Sequence, residues 1–167
     1  MSFEKKNYLF FYNRLTSGLR KGCIPALLNA LNALLTGVMY VAYPVLLVIL
    51  WRRQPEQLLR AILIPGVGFV LLSLVRLFIN RPRPYETWDI QPLITREKPG
   101  NSMPSRHVFS TVIIAMAFYY YFPPAGVIFL LVGLLSSLVR VLGGMHYPTD
   151  VFAGYLLGLL GGLCFFL

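Results

Sequence analysis

His146 and Asp150 stand four residues apart in "HYPTD", and a second histidine, His107, closes the run "NSMPSRH". A carboxylate held against one imidazole nitrogen fixes the tautomer and leaves the other nitrogen as a base or nucleophile. With two imidazoles at one place, one ring can attack while the other protonates a leaving group. Arg76, Arg83, Arg106 and Arg140 accompany them with few carboxylates nearby. Such a set calls for an anion, and guanidinium forks match phosphate oxygens with paired hydrogen bonds. Ser105 stands with Arg106 and His107 at the head of an apolar run. Backbone N–H groups at a helix start favour negative charge, and an N-cap serine is compatible with a phosphate contact. No Cys/His or acidic cluster has metal-ligand spacing, so no metal or other cofactor is expected. The arginines would supply the charge stabilisation instead.

Which elements could bring these residues together? Of 167 residues, 57% are hydrophobic and only 13% charged, and the mean hydropathy is +0.67. A soluble domain sits nearer about 45–50% apolar and about 25% charged. The expectation is an all-α, multi-pass membrane bundle forming one domain over residues 1–167. The net charge of +9 then points to a bilayer surface or anionic headgroups rather than nucleic acid. Cys23 and Cys164 lie near opposite ends of the chain and are not expected to pair. The N-terminus lacks the basic–apolar–small order of a cleaved signal. No internal repeat is visible.

Residues 6–21 read as an amphipathic helix lying in the interface. The apolar stretch 24–51 is too short for two spans. It divides into a shallow helix over 24–35 and a first span over 37–52, anchored by Trp51, Arg52 and Arg53. Residues 1–35 thus form an interfacial segment and 37–167 the bundle. Further spans are expected over 57–79 (kinked at Pro65 and Gly66), 107–122, 125–144 and 149–166, about five in all. A polar loop covers 80–106. Alternation of the spans brings all eight candidate residues to one membrane face. Snorkelling accounts for a single terminal arginine. An Arg or Asp at mid-span costs roughly 2.5–3.5 kcal/mol, so a cluster with histidines favours a site.

"RLFINRPRP" (76–84), "PSRH" (104–107) and "VRVLGGMHYPTD" (139–150) resemble the three signatures of the type 2 phosphatidic acid phosphatase superfamily. The resemblance covers about residues 57–160. It implies that His146 forms a phosphohistidine, that Asp150 orients it and that His107 is the general acid. It implies further that Arg76, Arg83, Ser105 and Arg140 hold the phosphoryl oxygens. Three positions depart from the family pattern. Arg76 replaces a lysine, Val139 replaces a serine, and Arg106 replaces the glycine of Pro-Ser-Gly-His. Arg106 either adds a cation for a second phosphate or hinders the site. The family usually has six spans.

The expected activity is metal-independent hydrolysis of a membrane lipid phosphate. Undecaprenyl diphosphate, the cell-wall carrier lipid, stands first. Phosphatidylglycerol phosphate and phosphatidic acid are close alternatives. A non-catalytic lipid-phosphate binder or transporter would need only the cations, and a haloperoxidase would not need five spans. The N-terminal cations Lys5, Lys6, Arg14, Arg20 and Lys21 favour a cytoplasmic site face, whereas Arg52, Arg53 and Arg60 favour the outer one. The resemblance to carrier-lipid phosphatases tips the expectation outward. The sequence leaves the oligomeric state open.

Overall fold

The computed structural model describes residues 3–96 and 99–167, and the described residues contain helices and no strand. The helices are α1 (Phe3–Thr16), α2 (Ile24–Arg53), α3 (Pro55–Ile79), α4 (Pro84–Thr87), α5 (Arg106–Tyr121), α6 (Pro123–Leu142) and α7 (Pro148–Gly162). One-turn 3₁₀ helices follow α1 (Ser17–Arg20) and α7 (Leu163–Phe165). Proline opens α3, α4, α6 and α7. Its fixed φ suits the first turn, where its missing N–H has no intrahelical partner to lose. These prolines therefore set where each helix begins after a tight turn.

Four segments are long and apolar enough to cross a membrane: Ile24–Arg53, Pro55–Thr87, Pro123–Leu142 and Pro148–Phe165. The remaining expected span, the third (107–122), is α5, which has 16 residues, about 24 Å of helix. It is the inner helix of the bundle, with nine residues buried, among them Val108, Val112 and Ala115. The outer helices α2 and α3 present Val41, Val45, Val48, Leu59, Val67 and Phe78 outward. An apolar outer surface is what hydrocarbon requires, since lipid offers no partner for polar groups.

Helix α2 differs from the expectation of two pieces. It runs unbroken for 30 residues, about 45 Å. Thr36 and Gly37 carry only a propensity cost, too small to end a packed helix. Helix α1 begins earlier and ends earlier than the expected 6–21 segment. It also lies on the bundle: Tyr12 is fully buried and its hydroxyl donates to the Leu142 carbonyl at 3.1 Å. Phe10, Phe11 and Leu15 remain on its outer side.

Small residues let the inner helices approach closely. Gly154, Gly158 and Gly162 recur every fourth residue on α7 and face α5. A Cβ at Gly154 would stand 2.6 Å from the Ser105 carbonyl oxygen, and one at Gly158 2.7 Å from Val112 Cβ. This stripe fixes the start of α7 against the start of α5, and those two starts carry the candidate histidines and Asp150.

The 80–106 loop folds back over the same end of the bundle. Arg20 Nη1 donates to the Gln91 carbonyl at 3.1 Å, and the Leu93 N–H donates to the Gly143 carbonyl at 3.1 Å. Ile90, Leu93 and Ile94 of the loop are buried. The loop is thus a packed cap, with a single helical turn, α4, inside it.

Candidate active site

Four helix ends and the loop meet at this face. Arg76 closes α3, Arg140 closes α6, and Ser105 and Tyr147 cap α5 and α7. The Ser105 N–H donates to the Asp150 carbonyl at 2.9 Å, so the starts of α5 and α7 share a backbone bond. Arg76 donates to the carbonyls of Pro104 and Asn101. Arg83 Nε donates to the Gly100 carbonyl at 3.3 Å, and Nη1 to the Met145 carbonyl at 3.5 Å. Glu86 receives the N–H groups of Arg83 and Gly100 at 2.7 and 2.9 Å. Backbone carbonyls thus hold the guanidinium groups of Arg76 and Arg83 in place.

Asp150 is fully buried and His146 is 1% exposed. Asp150 Oδ1 pairs with Arg81 Nη1 at 2.8 Å. Its Oδ2 accepts from Ser102 Oγ at 2.5 Å and from the Tyr147 N–H at 3.0 Å. His146 Nδ1 stands 3.6 Å from that same oxygen, beyond a good hydrogen bond, and 3.3 Å from Ser102 Oγ. With the Ser102 proton on Asp150, the serine oxygen can accept Nδ1–H. That arrangement assigns the ring proton to Nδ1 and leaves Nε2 with its lone pair. Burial pushes the His146 pKa below the usual histidine value, and Arg83 and Arg140 push it further down. The Asp150 carboxylate opposes both. The ring is therefore held neutral, the form that can donate electrons.

A cavity of about 740 Å³ opens beside this group and is lined by Arg76, Arg83, Arg96, Arg106, His107 and the loop residues 99–101. A second, about 390 Å³, runs between α2, α3 and α5 past Met39, Tyr43, Phe69 and Ile114, with Arg106 and His107 at its mouth. Arg106 stands at the junction of the two, its guanidinium carbon 5.5 Å from the Phe69 ring centre.

The eight expected residues thus converge on one end of the bundle, in three ways. Arg76, Arg83, Arg106 and His107 line the cationic cavity. Arg140 lines a neighbouring cavity with His107. His146, Asp150 and Ser105 lie behind these walls. Ser105 Oγ is buried without a hydrogen-bond partner among the described residues; its backbone ties α5 to α7. Val139 is buried as well. Sequence reasoning missed Ser102 and Arg81, the two side chains that grip Asp150. Both lie inside stretches already singled out, but neither type nor spacing distinguishes them from their neighbours.

A family model described as the PAP2 superfamily matches residues 57–167. The chain belongs to the PAP2 superfamily. All eight expected residues of this PAP2 protein lie within the matched segment. Over 145 residues it is 27% identical to undecaprenyl-diphosphatase BcrC of Bacillus subtilis (strain 168), spanning 84% of this chain and 75% of the relative. It is 24% identical to the bacitracin transport permease protein BcrC of Bacillus licheniformis, over 72% of this chain and 61% of the relative. The crystal structure of Aquifex aeolicus LpxE superposes with a TM-score of 0.74 at 26% identity, covering 95% of this chain and 93% of that one. A PAP2-type phosphatidylglycerolphosphate phosphatase from Bacillus subtilis shares the fold, with a TM-score of 0.61 at 22% identity over 98% and 94% of the two chains. This PAP2 protein is a multi-pass membrane enzyme, a lipid phosphatase.

Proposed function

We propose that the enzyme hydrolyses undecaprenyl diphosphate without a metal, through a phosphohistidine on His146. The observation that carries the diphosphate reading is the cationic cavity, where Arg106 joins Arg76 and Arg83 beside His107. With Arg76, Arg83 and Arg140 assigned to one phosphoryl group, Arg106 is a further guanidinium fork beside it, free to take a second phosphate in this reading. The 27% identity to a protein named undecaprenyl-diphosphatase supports the same substrate class, and the apolar cavity that meets the cationic one at Arg106 suits a lipid chain.

In this reading His146 Nε2 attacks the terminal phosphorus and a P–N bond forms as the P–O bond to the leaving lipid phosphate breaks. His107 gives its proton to that leaving oxygen. Arg76, Arg83 and Arg140 take the charge on the three remaining oxygens. Water then attacks the phosphohistidine and loses its proton to His107. The P–N pair returns to His146, and inorganic phosphate leaves. Asp150, fixed by Ser102, Arg81 and the Tyr147 N–H, holds the ring throughout. Among the described residues no group of three or more His, Cys, Asp or Glu could hold a metal ion. Arg52, Arg53 and Arg60 lie at the opposite end of the bundle, and they favour that end as cytoplasmic, with the site on the outer face.

The test is Arg106→Gly. A charge-assisted hydrogen bond is worth about 1.5–3 kcal/mol, so losing one should lower kcat/KM for undecaprenyl diphosphate relative to phosphatidic acid on the order of tenfold or more. An unchanged ratio sinks the diphosphate reading. A glycine variant faster on both substrates would mean that Arg106 hinders the site.

A further inference from the structure

Arg96 lies in the loop between α4 and α5, outside the three signature stretches. It lines the cationic cavity with Arg76, Arg83, Arg106 and His107. It also lines the adjoining cavity of about 410 Å³, where Arg140, Thr36 and Asn32 form other parts of the wall. Arg96 and His107 are the two residues that border both. Arg96 thus shares both cavities with His107, the proton donor to the leaving group in the proposed mechanism.

The strap that carries Arg96 is held firmly. The Asn29 carboxamide of α2 accepts the Thr95 N–H at 2.8 Å and the Thr95 hydroxyl at 3.1 Å. Its Nδ2 donates to the Leu93 carbonyl at 3.1 Å and to the Pro25 carbonyl at 2.9 Å. Ile94 packs over Gly143, where an added Cβ would stand 2.6 Å from Ile94 Cδ1. The Arg96 guanidinium carbon is 5.7 Å from the Tyr85 ring centre, on the turn that follows Arg83. Three of the four Asn29 side-chain bonds go to the strap, and the fourth, to Pro25, stays within α2. Such a clamp fits a residue whose position matters more than that of an ordinary loop cation.

We propose that Arg96 is a specificity-determining residue that binds the leaving-side phosphate of a diphosphate substrate, and that Asn29 positions it. This inference rests on the diphosphate reading above. A monophosphate ester has no group at that place, and its leaving oxygen depends on His107 alone. A diphosphate puts two more anionic oxygens there, and a guanidinium can take both.

The experiment uses the purified full chain with farnesyl diphosphate and farnesyl phosphate, which share a tail and differ by one phosphate. Arg96→Ala should lower kcat/KM for the diphosphate about tenfold more than for the monophosphate. Inhibition by inorganic pyrophosphate should weaken in step, and inhibition by orthophosphate should change less. Asn29→Ala should move the substrate ratio in the same direction by a smaller factor. If Arg96→Ala loses activity on both substrates, Arg96→Gln, which keeps most of the length, decides by the same ratio. An unchanged ratio in an enzyme that does hydrolyse the diphosphate overturns the role of Arg96 and leaves the diphosphate reading standing. A parent enzyme that hydrolyses farnesyl phosphate but not the diphosphate overturns both.

Discussion

Ser102 and Asp150, 48 residues apart in the chain, share a 2.5 Å hydrogen bond in full burial. The loop before α5 is thereby fastened to the first turn of α7. Because Asp150 Oδ2 is 3.6 Å from His146 Nδ1 and Ser102 Oγ is 3.3 Å from it, the serine is the nearer link to the ring.

Ser102→Ala removes that link. Losing a buried hydrogen bond costs about 1–3 kcal/mol, so kcat should fall roughly tenfold to a hundredfold. KM should change little, because Ser102 lines none of the three cavities that border His107. Steady-state kinetics on a lipid phosphate checks this. A variant with the parent's kcat would show that Asp150 orients His146 without the serine.

His146→Ala should abolish phosphate release while the protein still inserts and folds. Quenching the parent enzyme during turnover of a radiolabelled diphosphate should trap an acid-labile, base-stable phosphoprotein, absent from the variant. His107→Ala should slow phosphatidic acid more than a diphosphate, since an alcohol leaving group needs more protonation than a phosphate. Equal losses on both substrates count against the acid role. The parent should keep its full rate in EDTA; a loss that magnesium restores would overturn the metal-free mechanism.

The pH dependence follows from His146, whose pKa burial and the two arginines depress. Only the neutral ring can attack. The acid limb of kcat/KM should therefore lie below the ordinary histidine value of about 6.5. Asp150→Asn removes the carboxylate that raises the ring's pKa, so any residual activity should show that limb at lower pH still. For stability the sign is the same: the unfolded ring takes a proton near its ordinary value while the folded ring does not. The folded state therefore loses stability as pH falls through that window. A pH–rate profile with its acid limb above the ordinary value would contradict the assignment.

Gly154→Ala tests the helix approach that builds the site. Its Cβ would meet the Ser105 carbonyl oxygen at 2.6 Å, and a backbone atom cannot yield as a side-chain tip can. Overpacking of this kind costs about 1–3 kcal/mol. Thermal unfolding in detergent should show the loss, and activity should fall as the α5 start shifts away from α7. A variant as stable and as active as the parent would show that the two helices need not approach so closely.

Composition and hydropathy determined that this chain is a helical membrane protein, because burying so apolar a chain in lipid leaves few other structures. Three short motifs picked out the eight residues that the fold gathers at one end of the bundle, since histidine, aspartate and arginine have few reasons to cluster at helix ends in a membrane. Where the sequence reading failed, the cause was local. The sequence reading divides 24–51 near residue 36, but α2 runs unbroken there: the propensity cost of Thr36 and Gly37 is about 1 kcal/mol or less per residue, and packing against α3 and α5 outweighs it. The sequence places Gly154, Gly158 and Gly162 in one span, and only the fold shows them as a stripe against α5. Ser102, Arg81 and Arg96 are ordinary loop residues by type. Only the folded loop, clamped by Asn29 and capped onto Gly143, decides that two of them grip Asp150 and the third stands beside His107. Such contacts join residues up to 69 positions apart, and no pattern of neighbours along a chain encodes a distance set by how separate helices pack.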